Sequence, residues 1–202
     1  MGKITDISLQ RSGKRVNIFV DGSFRCGLER ITALQAGLAV GMETDDAALE
    51  ALQLDSEKET AFNKAIAFVS SRRRTEKEIR RKLREKGYMP GVISAVIAKL
   101  RDYGYVNDAQ FAHDYVEAYK DRAGEMKIRA ELRRLGISDK LADEALRELS
   151  ADDALESAMN CARQYLAARD FDRQKLYRHL ASKGYSFDIV REAVNRAAQE
   201  EE

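Results

Sequence analysis

The chain of 202 residues is poor in the residue types that punctuate or cross-link a fold: one proline, no tryptophan, two cysteines and two histidines. With a single proline, long stretches are free to run as helix. Cys26 and Cys161 stand far apart, form no CxxC pair and cannot assemble a zinc site by themselves, so both are expected to be reduced and partly buried. His113 and His179 belong to no HExxH segment and adjoin no plausible cysteine nucleophile, so each is expected on the surface or in packing. No GxxxxGK[ST] loop is present, and the acids are scattered over helical segments with no pairing that spacing alone marks. No catalytic residue, metal or cofactor is therefore expected. No stretch approaches the roughly 18 apolar residues a membrane helix needs. The opening Gly2-Lys3-Ile4-Thr5-Asp6 leads into alternation and not into an apolar signal core. A soluble, cytoplasmic, monomeric protein without membrane contact is expected.

Charge of one sign is also lacking overall, with a net charge of +1, yet the charges are unevenly placed. Residues 43–59 carry seven acids and one base, Lys58, whereas residues 72–86 carry nine bases and three acids. Such asymmetry points to one local anion-seeking face on a polar surface. Charged residues make up 34% of the chain and hydrophobic residues 44%, which suits solvated helices over a real core.

The front of the chain reads as strands. Ile4, Ile7 and Leu9 precede a Ser12-Gly13-Lys14 turn; Val16, Ile18 and Val20 alternate with polar neighbours; Asp21-Gly22 is a hairpin signal; Phe24, Cys26 and Leu28 alternate again. A three-stranded meander is expected, then a short helix near 29–35 closed by Gly37 and Gly41, and another over 45–53 opened by Thr44. From Ser56 on the pattern is helical. Ser56-x-x-Glu59 and Thr75-x-x-Glu78 both match the capping box, in which a hydroxyl and a carboxylate satisfy free amides at a helix start.

Internal repetition organises the rest. Ile79, Leu83, Gly87 and Tyr88 recur as Ile128, Leu132, Gly136 and Ile137, and again as Leu176, Leu180, Gly184 and Tyr185, at offsets of 49 and 97 residues. Ile97, Leu146 and Val194 follow each glycine at the same distance, and the longer offset maps Phe68 to Tyr165 and the cap Thr75 to Asp172. The fold expected is mainly α, with three tandem three-helix repeats behind a small β-meander with short helices. Its segments are 1–55, 56–106, 107–149 and 150–202. Each unit is marginal alone, and stacking shares the cost of ordering. Tyr88, Tyr103, Tyr105, Tyr115, Tyr119 and Tyr165 occupy repeat positions and are expected to pack in cores and between repeats.

Within the basic stretch, Ile79 and Leu83 define one helix face, while Lys77, Arg80, Arg81 and Arg84 fall on an arc of about 100° on the far side. Arg72, Arg73 and Arg74 precede the cap. The equivalent helices carry Lys127, Arg129, Arg133 and Arg134, and Arg173, Lys175, Arg178 and Lys183. The candidate contacts to phosphate or an acidic protein groove are Arg72, Arg73, Arg74, Lys77, Arg80, Arg81, Arg84, Lys127, Arg133, Arg134, Arg173, Lys175 and Arg178.

The segment Arg72-Arg-Arg-Thr-Glu-Lys-Glu-Ile-Arg-Arg-Lys-Leu-Arg-Glu-Lys-Gly-Tyr88 resembles the signature of the RecX family, bacterial regulators of the RecA recombinase. So does Leu100-x-x-x-Gly104-Tyr105-Val106-Asn107-Asp108-x-x-Phe111-Ala112-x-x-Tyr115, and Gly124-x-x-x-Ile128-x-x-Glu131-Leu132-x-x-x-Gly136-Ile137 resembles the family's second repeat. The resemblance is dense over 60–150 and looser over 151–197. It implies binding to the RecA–single-stranded DNA filament and damping of its ATPase, strand-exchange and coprotease activities. The residues alone leave two other readings open: a direct DNA-binding transcription regulator and a protein-interaction adaptor.

Overall fold

The computed structural model describes residues 1–147 and 149–200. The front is an antiparallel sheet of β1 (Gly2–Leu9), β2 (Arg15–Val20), β3 (Ser23–Glu29) and β4 (Glu43–Thr44), in the order β3-β2-β1-β4. The Asp21-Gly22 turn has both residues at positive φ, 49° and 77°, as a tight hairpin of right-twisted strands demands. Period-two alternation then sends Ile4, Val16, Ile18, Cys26 and Leu28 to one face, where Ala33 of α1 (Arg30–Gln35) and Leu49 of α2 (Asp46–Val69) close the core. The fourth strand lies beyond the expected meander. It is two residues long, too short to show alternation, and pairs Gly2 with Thr44 and Lys3 with Glu43.

α2 departs from expectation. It runs unbroken through 24 residues, opened by Asp45, whose carboxylate accepts from the Ala48 amide at 2.7 Å. Ser56 therefore caps nothing. It is buried inside the helix, and its hydroxyl accepts the Glu29 amide at the end of β3. Thr60, one turn on, donates to the Glu29 carboxylate at 2.9 Å.

The remaining helices are α3 (Glu76–Glu85), α4 (Pro90–Asp102), α5 (Asp108–Tyr119), α6 (Glu125–Leu135), α7 (Asp139–Leu146), α8 (Ala151–Leu166), α9 (Arg173–Ser182) and α10 (Phe187–Glu200). The chain divides into two compact units. One comprises Met1–Arg73 and Ile79–Val106; the other comprises Arg74–Glu78 and the chain from Asn107 on.

In the first unit, Ala61 and Ala65 of α2 meet Ile79 and Leu83 of α3 and Val92, Ile93, Val96, Ile97 and Leu100 of α4. In the second, Ala112, Val116, Ile128, Leu132 and Leu146 form the core of α5–α7, and Ala158, Ala162, Leu176, Leu180, Val190 and Val194 that of α8–α10. The expected three-helix modules are thus present three times. Their second helices end alike, on Gly87, Gly136 and Gly184 at φ of 84°, 94° and 84°, the left-handed region open to glycine.

Within the second unit, the start of α6 is seated on the end of α9. The Gly124 amide donates to the Lys183 carbonyl at 3.0 Å and the Met126 amide to the Gly184 carbonyl at 3.1 Å. A Cβ on Gly124 would lie 2.3 Å from the Gly184 backbone, so only glycine permits the approach. Residues 74–78 of the same unit meet the end of α6 in a related way. Thr75 Oγ1 donates to the Leu135 carbonyl at 2.8 Å and Lys77 Nζ to the Arg134 carbonyl at 2.9 Å.

Candidate functional site

The basic helix begins as its capping box requires. The Glu78 amide donates to Thr75 Oγ1 at 3.3 Å and the Thr75 amide to Glu78 Oε2 at 3.2 Å. With Ile79 and Leu83 buried, helical period leaves Lys77, Arg81 and Arg84 exposed. Arg80 is half-buried and bonds Ser94 Oγ at 3.4 Å; Arg81 stands 3.7 Å from Glu85. Arg72 and Arg73 are exposed before the cap. Arg74 is turned inward, its side chain 15% exposed, and pairs at 3.4 Å with the capping carboxylate of Glu78. It braces the helix start.

The other two basic helices differ position by position. Where the first module has Arg80 and Arg84, the second has Arg129 and Arg133, both neutralised: Arg129 by Glu125 and Asp143, Arg133 by Asp139. The Asp139 carboxyl is held below the ordinary carboxylate range chiefly by its hydrogen bond from Arg133. Arg134 pairs with Glu131 at 2.7 Å, while Lys127 is exposed. In the third module Arg178 matches Arg81, but Tyr177 and Ala181 stand in place of Arg80 and Arg84. Lys175 pairs with the capping Asp172 at 3.3 Å, and Arg173 bonds Asn195.

Of the six tyrosines expected to pack, Tyr88, Tyr115 and Tyr165 lie against their module cores, Tyr119 stacks on Tyr115 with centroids 4.4 Å apart, and Tyr103 meets Phe62 and Tyr105 edge-on. Tyr103, Tyr105 and Tyr119 are 61%, 53% and 42% exposed. Tyr103 and Tyr105 flank Gly104 just past the end of α4, where the chain has left the helix face that points to the core. The third module adds two surface residues that charge-based reading passed over, Phe187 and Arg191. The signal for them was the substitution of Tyr177 for an arginine at a repeated position.

His179 stacks on Tyr165, ring centroids 4.3 Å apart, with Nε2 3.6 Å from Cys161 Sγ. Burial pushes the Cys161 thiol up and the His179 imidazole down, so this is a packed pair and not an activated nucleophile. A cleft of about 590 Å³ opens between α6, α8 and α10 of the second unit. Its rim carries Asp121, Glu125, Asp153 and Asp188, and its Ser157 hydroxyl is taken up by Tyr185 and the Lys120 carbonyl. Among the described residues no three His, Cys, Asp or Glu side chains gather to hold a metal, and no helix is long and apolar enough to cross a membrane.

Fold and surface together define a tandem three-helix repeat protein with a strand-built front and charged helix faces. Four family models match it in chain order: the regulatory protein RecX N-terminal domain over residues 2–45, and the first, second and third RecX three-helix domains over 61–100, 107–146 and 152–194. The chain belongs to the RecX family. It is 32% identical over 206 residues to regulatory protein RecX of Bacillus subtilis (strain 168), covering 98% of this chain and 78% of that one. It is 31% identical over 209 residues to its counterpart in Clostridium perfringens (strain 13 / Type A), covering 100% and 99%. A crystal structure of regulatory protein RecX superposes with a TM-score of 0.73 at 27% identity, covering 94% of this chain and 97% of that one. RecX from Lactobacillus salivarius does so with a TM-score of 0.64 at 27% identity, covering 69% and 96%. These relatives are named regulatory proteins, which points to a role other than catalysis.

Proposed function

We propose that the chain is a cytoplasmic, monomeric regulator that binds the RecA–single-stranded DNA filament and damps its ATPase, strand-exchange and coprotease activities. The observation that carries this reading is the face of α3, on which Arg81 and Arg84 are exposed opposite the buried Ile79 and Leu83. A filament of protein and nucleic acid is a repeating anionic surface, and clustered cations on a rigid helix meet it without covalent chemistry. Binding that favours one filament state shifts its population by mass action. We divide the chain for this purpose into the front, 1–55, and the modules 56–106, 107–149 and 150–202. Arg72 and Arg73 extend the first module's face. Arg178 is the counterpart of Arg81 in the third module, and Lys127 and Arg173 are further exposed cations on α6 and α9, with Arg133, Arg134 and Lys175 able to contribute once their acidic partners are displaced.

The test is DNA-dependent ATP hydrolysis by RecA with and without this protein. Hydrolysis is expected to fall with the wild-type chain, and the R80E/R81E/R84E variant is expected to lose that effect while keeping its helical circular dichroism. Full inhibition by the folded triple variant would remove α3 from the contact, and no inhibition by the wild-type chain would remove the reading itself.

A further inference from the structure

The same surface position, between the second and third helices of a module, is built in three ways. In the first module Arg80 bonds Ser94. In the second, Arg129 pairs with Asp143 and Arg133 with Asp139. In the third, the equivalent residues are Tyr177, Ala181, Phe187 and Arg191. An ion-paired seam has become aromatic, and the small Ala181 stands where arginines stand in the other modules.

Phe187 opens α10 and is 64% exposed, a large apolar ring left to water at a helix start. Tyr177 of α9 meets it edge-on, centroids 6.3 Å apart and planes at 69°. The Arg191 guanidinium, one turn along α10, lies 5.7 Å from the centre of the Phe187 ring and 3.4 Å from Asp188. A further turn on, Asn195 accepts from Arg173 of α9. Phe187, Arg191 and Asn195 thus form one stripe at helical spacing, and Arg173 and Tyr177 form the stripe facing it. Arg178, exposed on α9, adds a further cation close by in sequence.

We infer that this face of the third module binds an unpaired nucleic-acid strand, with a base stacked on Phe187 between Tyr177 and Arg191 and flanking phosphates met by Arg173 and Arg178. Aromatic rings interleaved with cations are the surface that single strands use, because every base offers a π-face and every linkage a charge. A duplex keeps its base faces in its own stack, so it cannot use the ring. The inference goes beyond the filament reading and does not need it, since the ligand is the bare strand.

The test is fluorescence anisotropy of a labelled oligo(dT) of about 20 nucleotides, with no recombinase present. The wild-type chain is expected to bind it more tightly than a duplex of the same length. Phe187→Ala, at an exposed position, is expected to weaken oligo(dT) binding about tenfold and to leave binding of an abasic oligomer unchanged. Phe187→Trp, the sole tryptophan in the chain, is expected to keep affinity and to lose fluorescence as oligo(dT) saturates it. Four results would each overturn the inference: no oligo(dT) binding by the wild-type chain, equal affinity for duplex, equal loss on the abasic oligomer, or an unquenched tryptophan at saturation. None of them touches the ATPase measurement, so the two readings fail separately.

Discussion

Thr75 is fully buried although it carries a hydroxyl, because that hydroxyl has two obligations. It accepts the Glu78 amide within the cap and donates to the Leu135 carbonyl. Replacing it by valine keeps the shape and strands both partners. Thr75→Val is expected to lower unfolding free energy by about 1–3 kcal/mol, and Thr75→Ser to restore most of it, in urea titrations. The cap itself was legible, since Thr-x-x-Glu ahead of an apolar pair states it. The contact to Leu135 was not, because a distant carbonyl leaves no mark on the local pattern.

His179 supplies a prediction of pH dependence. Burial first, then the charges of Lys183 and Arg169, hold its imidazole below the ordinary value of 6.5. The faces packed around it are Tyr165 and Cys161, neither of which adds a negative charge near neutrality. The unfolded chain therefore takes up a proton on this group at a higher pH than the folded chain does. The sign follows: stability is whole above about pH 6.5 and falls as pH drops through that value. The thermal midpoint of the wild-type chain is expected to drop between about pH 7.5 and 5.5. In His179→Gln that part of the drop should vanish, and an unchanged pH profile would show that the group does not report on folding.

At the scale of elements, the three basic helices look alike in composition and differ in what surrounds them. Arg129 and Arg133 spend their charge on Glu125, Asp139 and Asp143, whereas Arg84 of α3 is exposed. Exposed pairs of this kind contribute little to stability but do cancel the field seen by a partner. The R129Q/R133Q variant is therefore expected to inhibit RecA hydrolysis within about twofold of wild type, and R81Q/R84Q to inhibit far less. Equal loss in both would mean that pairing does not screen the second module.

Sequence could not distinguish these helices, because two of the partners, Asp139 and Asp143, come from the following helix. α2 differs from its local sequence pattern for a related reason. Ser56-x-x-Glu59 has the spacing of a cap, yet the hydroxyl serves the Glu29 amide across the fold while the helix runs straight through. A local motif names a donor or acceptor and leaves its partner unspecified.

For the molecule as a whole, repetition was the most legible feature, since a period in glycines and buried pairs survives however the surface varies. What it could not reveal is how modules meet. Gly124 is the N-cap residue of α6, and it is in addition the point where that helix is seated on the end of α9. Gly124→Val is expected to destabilise the second unit more than Thr75→Val does, because backbone and not a flexible side chain blocks the new methyl groups. Chemical unfolding followed by circular dichroism measures the difference, and an unaffected midpoint would mean the junction opens at no cost.

The seating has a consequence for how the chain is born. The Gly124 and Met126 amides find their acceptors at Lys183 and Gly184, which leave the ribosome much later. A nascent chain that has emerged through α7 holds a second module whose basic helix is still open at its leading edge, to be closed only when the last module has been made.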